Sequence, residues 1–328
     1  MGIDYRQGQG THMQKQQIEQ KKMELISRYG EWTVTAVHLG HGVWTQSKHD
    51  TPPKRTRRFV QIVEDLVGKE IANCRILDLA CLEGEYSIEF GMRGARVLGI
   101  EGRETNIEKA KFSSEVLDLK NVEFKKDDVR NISVEKYGKF DVIICSGILY
   151  HLPADDVCPF IYKIHDMAER LVILDTHISL SPTMTISYRG EQYQGHTYTE
   201  HSPDDSPETK LERKWASLDN DESFWFTRAS LFNLLSNVGF TSFYECFSPQ
   251  HQLPKDRCVF VAIKGRPIDL MIFPGPDHSQ DNWEEETFLV NDTDSDEIRK
   301  RLERLNRLEN HPLIRLGLKL CRSKKVKP

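Results

Sequence analysis

Asp78 and Glu101 each close a short apolar run. The stretch from Arg75 leads through Asp78 into a loop ending at Gly84, and the run from Ala95 ends on Glu101. A carboxylate at the end of such a run can accept hydrogen bonds from the paired hydroxyls of a ribose. A third run, Val122 to Asp128, ends in an acidic pair, and Tyr150 and His151 finish a fourth, with His177 just after a fifth. Histidine titrates near neutral pH, so a ring at a strand terminus can take a proton from a reacting hydroxyl. These residue types suit a site that holds a nucleoside and activates a second molecule beside it.

The loop after Asp78 says what else the nucleoside carries. A pyrophosphate site needs GxGxxG, so that backbone N–H groups can approach the phosphates. Here the corresponding positions are Ala80, Leu82 and Gly84, with Glu83 and Glu85 beside them. Those carboxylates would repel a pyrophosphate. They tolerate a cationic ligand such as S-adenosylmethionine (SAM), whose sulfonium and ammonium are positive and whose carboxylate can face a helix N-terminus.

The elements that must position these groups follow from the apolar pattern. Arg75 to Leu79, Ala95 to Glu101, Val122 to Asp128, the run from Phe140 and Arg170 to Asp175 read as strands, the fourth opening into a turn at Ser146 and Gly147. Helical patterns separate them, including Glu104 to Leu117 and Asp155 to Ala168, so a parallel, doubly wound α/β sheet is expected. Phe243 to Phe247 and Cys258 to Ile263 read as the last two of seven strands, after a helix at Arg228 to Val238.

In order and spacing, these motifs resemble the class I SAM-dependent methyltransferases over roughly 55–265. The resemblance implies a mostly parallel, seven-stranded Rossmann-like sheet and SAM as cofactor, with S-adenosylhomocysteine (SAH) as product. It implies that Asp78 closes the first strand, that Glu101 binds the ribose and that Asp128, with Val129 next to it, contacts the adenine. Ala80 and Gly84 would form the loop, and the backbone of Ser146 and Gly147 would line the methionine moiety. The family normally has glycine at the positions of Ala80 and Leu82.

The chain of 328 residues is 38% hydrophobic, enough for a sizeable core with extensions. Seven cysteines, an odd number with no CxxC spacing, suggest free thiols in a reducing cytoplasm. No metal is expected, and no apolar run is long enough to span a membrane. Residues 1–22 read as a leader outside the fold, with the native start at Met13 or Met23. Residues 266–297 read as an acidic linker, for Pro276 to Glu297 holds nine acids and no Lys or Arg. Residues 298–328 hold eleven Lys or Arg and two acids and read as a basic helical tail, able to lie on an anionic membrane surface, to dock on a partner, or to pack on its own domain. The net charge of −5 argues against a phosphate-tracking surface and so against nucleic acid.

Two additions to the core point to the acceptor. The first is an N-terminal lid within 23–54, where Glu31 to Thr45 brings His38, His41 and Trp44 into a short glycine-containing stretch. The second is an insertion at 178–227, far longer than the fold needs. Met184 to Tyr188 and Gln192 to His201 read as a hairpin over the active face, carrying Tyr188, His196 and Tyr198, and the chain then returns Trp215 and Trp225. A wall of aromatics and histidines suits a small organic acceptor such as a secondary metabolite or sugar. The Gly147 to Leu152 turn and the segment after Ser223 also resemble tRNA wobble-uridine methyltransferases, and a SAM-binding partner module without turnover is a further alternative. The methyl group would go to an oxygen, nitrogen or activated carbon of the acceptor; for a hydroxyl, His151 is the first candidate base, then His177, then His38 or His41, with Tyr150 orienting the nucleophile.

Overall fold

The computed structural model describes residues 13–33, 36–46, 54–246, 255–266 and 268. The expected linker from 269 onward and the basic tail lie outside the described residues, as does the expected leader up to residue 12.

The first described helix, α1 (Lys15–Tyr29), corrects the boundary expected at residue 22. Its Ile18 is buried with Trp32, Leu39 and Val43 against Phe112 and Val116, so packing extends the folded unit upstream of Met23. Helix α2 (Lys54–Leu66) then leads to β1 (Arg75–Leu79), α3 (Glu85–Met92), β2 (Arg96–Glu101), α4 (Glu104–Val116) and β3 (Val122–Lys126). A single turn, α5 (Val134–Tyr137), precedes β4 (Phe140–Ser146), α6 (Ala154–Met167) and β5 (Ala168–His177). The insertion supplies β6 (Met184–Tyr188), β7 (Glu191–Thr199), α7 (Pro207–Glu212) and β8 (Glu222–Phe226), and α8 (Arg228–Val238), β9 (Ser242–Glu245) and β10 (Arg257–Ile263) complete the described chain.

Among the described residues, one sheet has seven strands in the order β3-β2-β1-β4-β5-β10-β9. The first five run parallel, and β10 is antiparallel to both its neighbours. Central strands buried on both faces are mostly apolar, which is why β1 and β4 read as apolar runs broken only by Asp78 and Asp141 after their opening residues. Alternate residues feed two cores. Leu77, Ile143, Val172 and Phe260 pack under α6 and α8, and Ile76, Ile144, Ile173 and Val261 pack with Phe59 and Val63 of α2 and Phe90 of α3. Chain order reverses direction between β1 and β4, which opens a crevice at their carboxyl ends.

The insertion departs from the expected projecting hairpin. β6, β7 and β8 form a three-stranded antiparallel sheet whose Tyr193, Phe224 and Phe226 are buried in the same core as α6 and α8. Gly195 is needed there, since a Cβ would stand 2.2 Å from the Trp225 carbonyl oxygen. Burial of these aromatics makes the small sheet a wall of the domain. No helix among the described residues is long and apolar enough to cross a membrane.

Candidate active site

A cavity of about 570 Å³ opens at the carboxyl ends of β1, β2 and β4. Its floor is the loop after β1, in which Ala80, Leu82 and Gly84 all have positive φ (51°, 48° and 85°). Glycine adopts this left-handed backbone freely, whereas Ala80 and Leu82 adopt it at a cost of about 1–2 kcal/mol each. The loop is held in that shape by bonds to the neighbouring strand: Cys81 N donates to Ile100 O at 3.0 Å and Leu82 N to Glu101 Oε2 at 3.0 Å. At Gly84 a side chain is excluded, for a Cβ would meet the Phe124 ring at 2.9 Å.

Glu101 is buried, and its Oε1 accepts the Arg103 N–H at 2.8 Å. Each of its oxygens holds one backbone donor, with the Asn106 side chain also at the carboxylate, and a carboxylate oxygen can accept further donors from a vicinal diol. Burial raises the Glu101 pKa against those bonds. Burial also pushes Asp78 up to about 7, although Ser87 donates to it from both N and Oγ. Asp78, Glu85, Glu101 and Asp127 line the cavity together with Arg55, Arg103, Lys214 and Arg257. Acids beside the nucleoside end and arginines near β5 suit a ligand that carries both cations and a carboxylate, as SAM does.

The opposite end is built on Asp175, which is buried at the end of β5. It accepts from Arg257 Nε at 2.6 Å, Arg55 at 3.1 Å and Ser146 Oγ at 3.2 Å. Arg257 also donates to Tyr150 Oη at 2.8 Å. Burial tends to lower the Arg257 pKa, but Asp175 outweighs it and the net shift is upward. Burial raises the Tyr150 phenol despite Arg257. Beside them His151 Nδ1 lies 2.8 Å from Glu200 Oε1, and the Glu200 side chain is only 1% exposed. Burial acts to raise Glu200, yet its bond to His151 prevails and the carboxyl is held below its ordinary range. A buried carboxylate on Nδ1 leaves Nε2 of the ring for a substrate proton, the geometry of an oriented base.

Asp78, Ala80, Glu101, Val129, Ser146, Gly147, Tyr150, His151 and Trp215 all line the cavity. Gly84 caps α3 directly behind the loop. Asp128 does not line the cavity: its carboxylate takes a bidentate contact from Arg130, while the preceding acid, Asp127, lines the cavity with its carboxylate held by Lys136 and Tyr137. His177 does not line the cavity. It stacks on Trp225 at 4.8 Å and meets Asp256 at 3.0 Å, and burial lowers its pKa. Trp225 is covered on its other face by Tyr198 at 4.7 Å, and His196 bonds Ser179 Oγ. Tyr188 packs on Tyr162. Of the N-terminal lid, Thr33 and Gln46 reach the cavity, while His38 pairs with Trp44 away from it and His41 occupies a left-handed turn.

Sequence reasoning missed Glu200, Arg257, Arg55, Arg103 and Ser217. For Arg257 a signal existed: an arginine opening a strand antiparallel to its neighbour lies at the edge where the parallel strands end, and it pairs in register with His177. Glu200 carries no comparable local signal, because only the small sheet brings it to His151.

A methyltransferase domain model matches residues 71–173. Over 105 residues the chain is 28% identical to a ubiquinone biosynthesis O-methyltransferase of Acinetobacter baylyi, a match that covers 32% of this chain and spans 42% of the length of that protein. The fold is similar to the N-terminal domain of EvdMO1, solved in the presence of SAH and D-fucose, with 25% identity and a TM-score of 0.58 over 77% of this chain and 97% of that one. Seven strands in this order, the acids at their ends and the matched domain place the chain in the class I SAM-dependent methyltransferase superfamily.

Proposed function

We propose that this protein transfers the methyl group of SAM to a hydroxyl oxygen of a small sugar-like acceptor. The observation that carries the reading is the His151–Glu200 pair, set in the cavity whose other end is closed by Glu101. When bound, SAM supplies an electrophilic methyl carbon on a sulfonium. Glu101 accepts hydrogen bonds from the ribose hydroxyls, Val129 and Asp127 border the nucleoside end, and Arg55 faces the carboxylate at the end near Asp175. A hydroxyl acceptor is a poor nucleophile until its proton leaves. His151 takes that proton on Nε2, and Glu200, ionised and buried, stabilises the imidazolium that results. Tyr150, fixed by Arg257, orients the hydroxyl. Trp215, 66% exposed yet lining the cavity, offers an apolar face on which a sugar ring can stack. The similarity to a domain solved with SAH and D-fucose supports this acceptor class.

Transfer of label from methyl-labelled SAM to D-fucose and a panel of monosaccharides tests the reading, with phenols and amines as comparison acceptors. Labelled methyl ether formed on a sugar, and abolished in His151→Ala, is the expected result. Transfer to amines alone, or full turnover in His151→Ala, refutes it.

A further inference from the structure

Arg103 and the peptide of Ser217 connect the two ends of the cavity. The main chain of Arg103 donates to Glu101, as described, and its side chain turns inward. Nε donates to Leu211 O at 3.1 Å, and one terminal nitrogen reaches Arg213 O and Ala216 O, both at 2.9 Å, and Ser217 O at 3.1 Å. All these acceptors are main-chain carbonyls of one segment, beginning at the carboxyl end of α7 where helix carbonyls lack partners. Gly102 allows the segment to lie close, since a Cβ there would stand 2.5 Å from Leu218 Cδ1.

The same segment ends at the base. Ser217 N donates to Glu200 Oε2 at 3.0 Å, on the carboxylate whose other oxygen meets His151 Nδ1. Ser217 Oγ donates to Asn220 O at 2.6 Å, and Asn220 Nδ2 donates to His151 O at 3.1 Å. An unbroken series of hydrogen bonds thus runs from Glu101 through Arg103, Ser217 and Glu200 to the ring of His151. The segment has little apolar anchoring of its own, as Leu211 and Trp215 are both exposed; besides the Arg213–Asp205 pair and the His201 contact to Ser217 O, the bonds from Arg103 hold it.

We propose that Arg103 and the Ser217 peptide are positioning groups: filling the nucleoside end at Glu101 orders residues 211–218 through Arg103, and that segment then holds Glu200 and the His151 ring in their working orientation. The proposal rests on the reading of His151 as the base. A ligand bound at Glu101 favours the ordered arrangement by mass action, so the base is aligned only when the cofactor end is filled. Such coupling makes cofactor binding precede productive acceptor binding.

The test uses the whole chain with and without SAH. Histidine side-chain NMR follows His151, whose signal is identified by its loss in His151→Gln, and hydrogen exchange follows residues 211–218. In the wild type, SAH shifts the His151 signal and slows exchange in the segment by about tenfold or more. Arg103→Ala still binds SAH but loses both responses, and Arg103→Lys, which keeps the charge and reaches fewer carbonyls, retains a reduced response. Wild-type-like responses in Arg103→Ala overturn the proposal, as does the lack of any SAH response in the wild type. If Arg103→Ala does not fold, unchanged responses in Arg103→Lys overturn it and reduced ones support it. Full turnover in His151→Ala, with both SAH responses present in the wild type, would refute the base while leaving the coupling standing.

Discussion

Replacing Glu200 by Gln isolates the electrostatic part of the candidate base. Glu200 Oε1 lies 2.8 Å from His151 Nδ1, and at 1% exposure its side chain is little screened by water. When His151 takes up a proton the ring becomes a cation, and the facing carboxylate stabilises it. A hydrogen bond between charged partners contributes about 1.5–3 kcal/mol, which corresponds to about 10- to 150-fold in rate. Gln keeps the size of Glu and can still accept the Ser217 N–H, so the loss falls on the charge. Its amide can also donate to Nδ1, which would leave the ring proton on Nε2 and block the base outright, adding to the loss. Turnover of labelled SAM with D-fucose as first acceptor should therefore drop by at least about tenfold. Glu200 does not line the cavity, so SAH affinity by calorimetry should stay within about threefold. Because Glu200 is held below its ordinary range, it stays ionised as the pH rises. A Glu200→Gln enzyme with turnover within about twofold of wild type would refute this reasoning.

Glu101→Ala removes the acceptors for two ribose hydroxyls at about 1.5–3 kcal/mol each, so calorimetry should find SAH bound at least about tenfold more weakly, and unchanged affinity would exclude the assignment. Asp78 titrates near 7, and a cationic ligand favours its carboxylate form, so below that pH binding must also expel a proton. SAM affinity should then fall by up to about tenfold per unit on acidification below about pH 7 and level off above it, and Asp78→Asn should flatten the profile; a wild-type profile that is already flat would count against Asp78. Phe224→Ala should destabilise the domain by about 3–5 kcal/mol in urea denaturation, because the small sheet shares the main core; a loss below about 1 kcal/mol would make that sheet an appendage.

The sheet was legible because each of its strands carries its own pattern. β1 and β4 are mostly apolar runs, and β6 and α8 appear where alternation and helical spacing placed them, with the Arg189–Gly190 turn between β6 and β7 in the left-handed backbone that such a turn demands. Asp78, Glu101 and Ser146, at or next to strand ends, and His151, a turn beyond β4, all line the cavity, since a parallel sheet gathers those ends on one edge. Tyr188, His196, Tyr198 and Trp225, expected at the acceptor, do not line the cavity: Tyr188 packs on Tyr162, and Tyr198 and His177 stack on Trp225, because aromatic content does not distinguish a binding wall from a packed one. Tyr193, Phe224 and Phe226 are buried by α6 and α8, and that contact is not written in β6 or β7 alone.

Amino-acid order by itself determined the strand–helix alternation, the acids that end the strands and the unusual loop of Ala80, Leu82 and Gly84. Periodicity and local backbone preference operate over a few residues and need no partner. Tertiary structure alone decided that Asp127 lines the cavity while Asp128 is held by Arg130. It alone decided that Glu200 meets His151 across 49 positions and that Arg257 meets Asp175 across 82. Such pairs arise when sheets dock and bring distant strand ends together, and their stability comes from burial that neither residue can show until the core between them has closed.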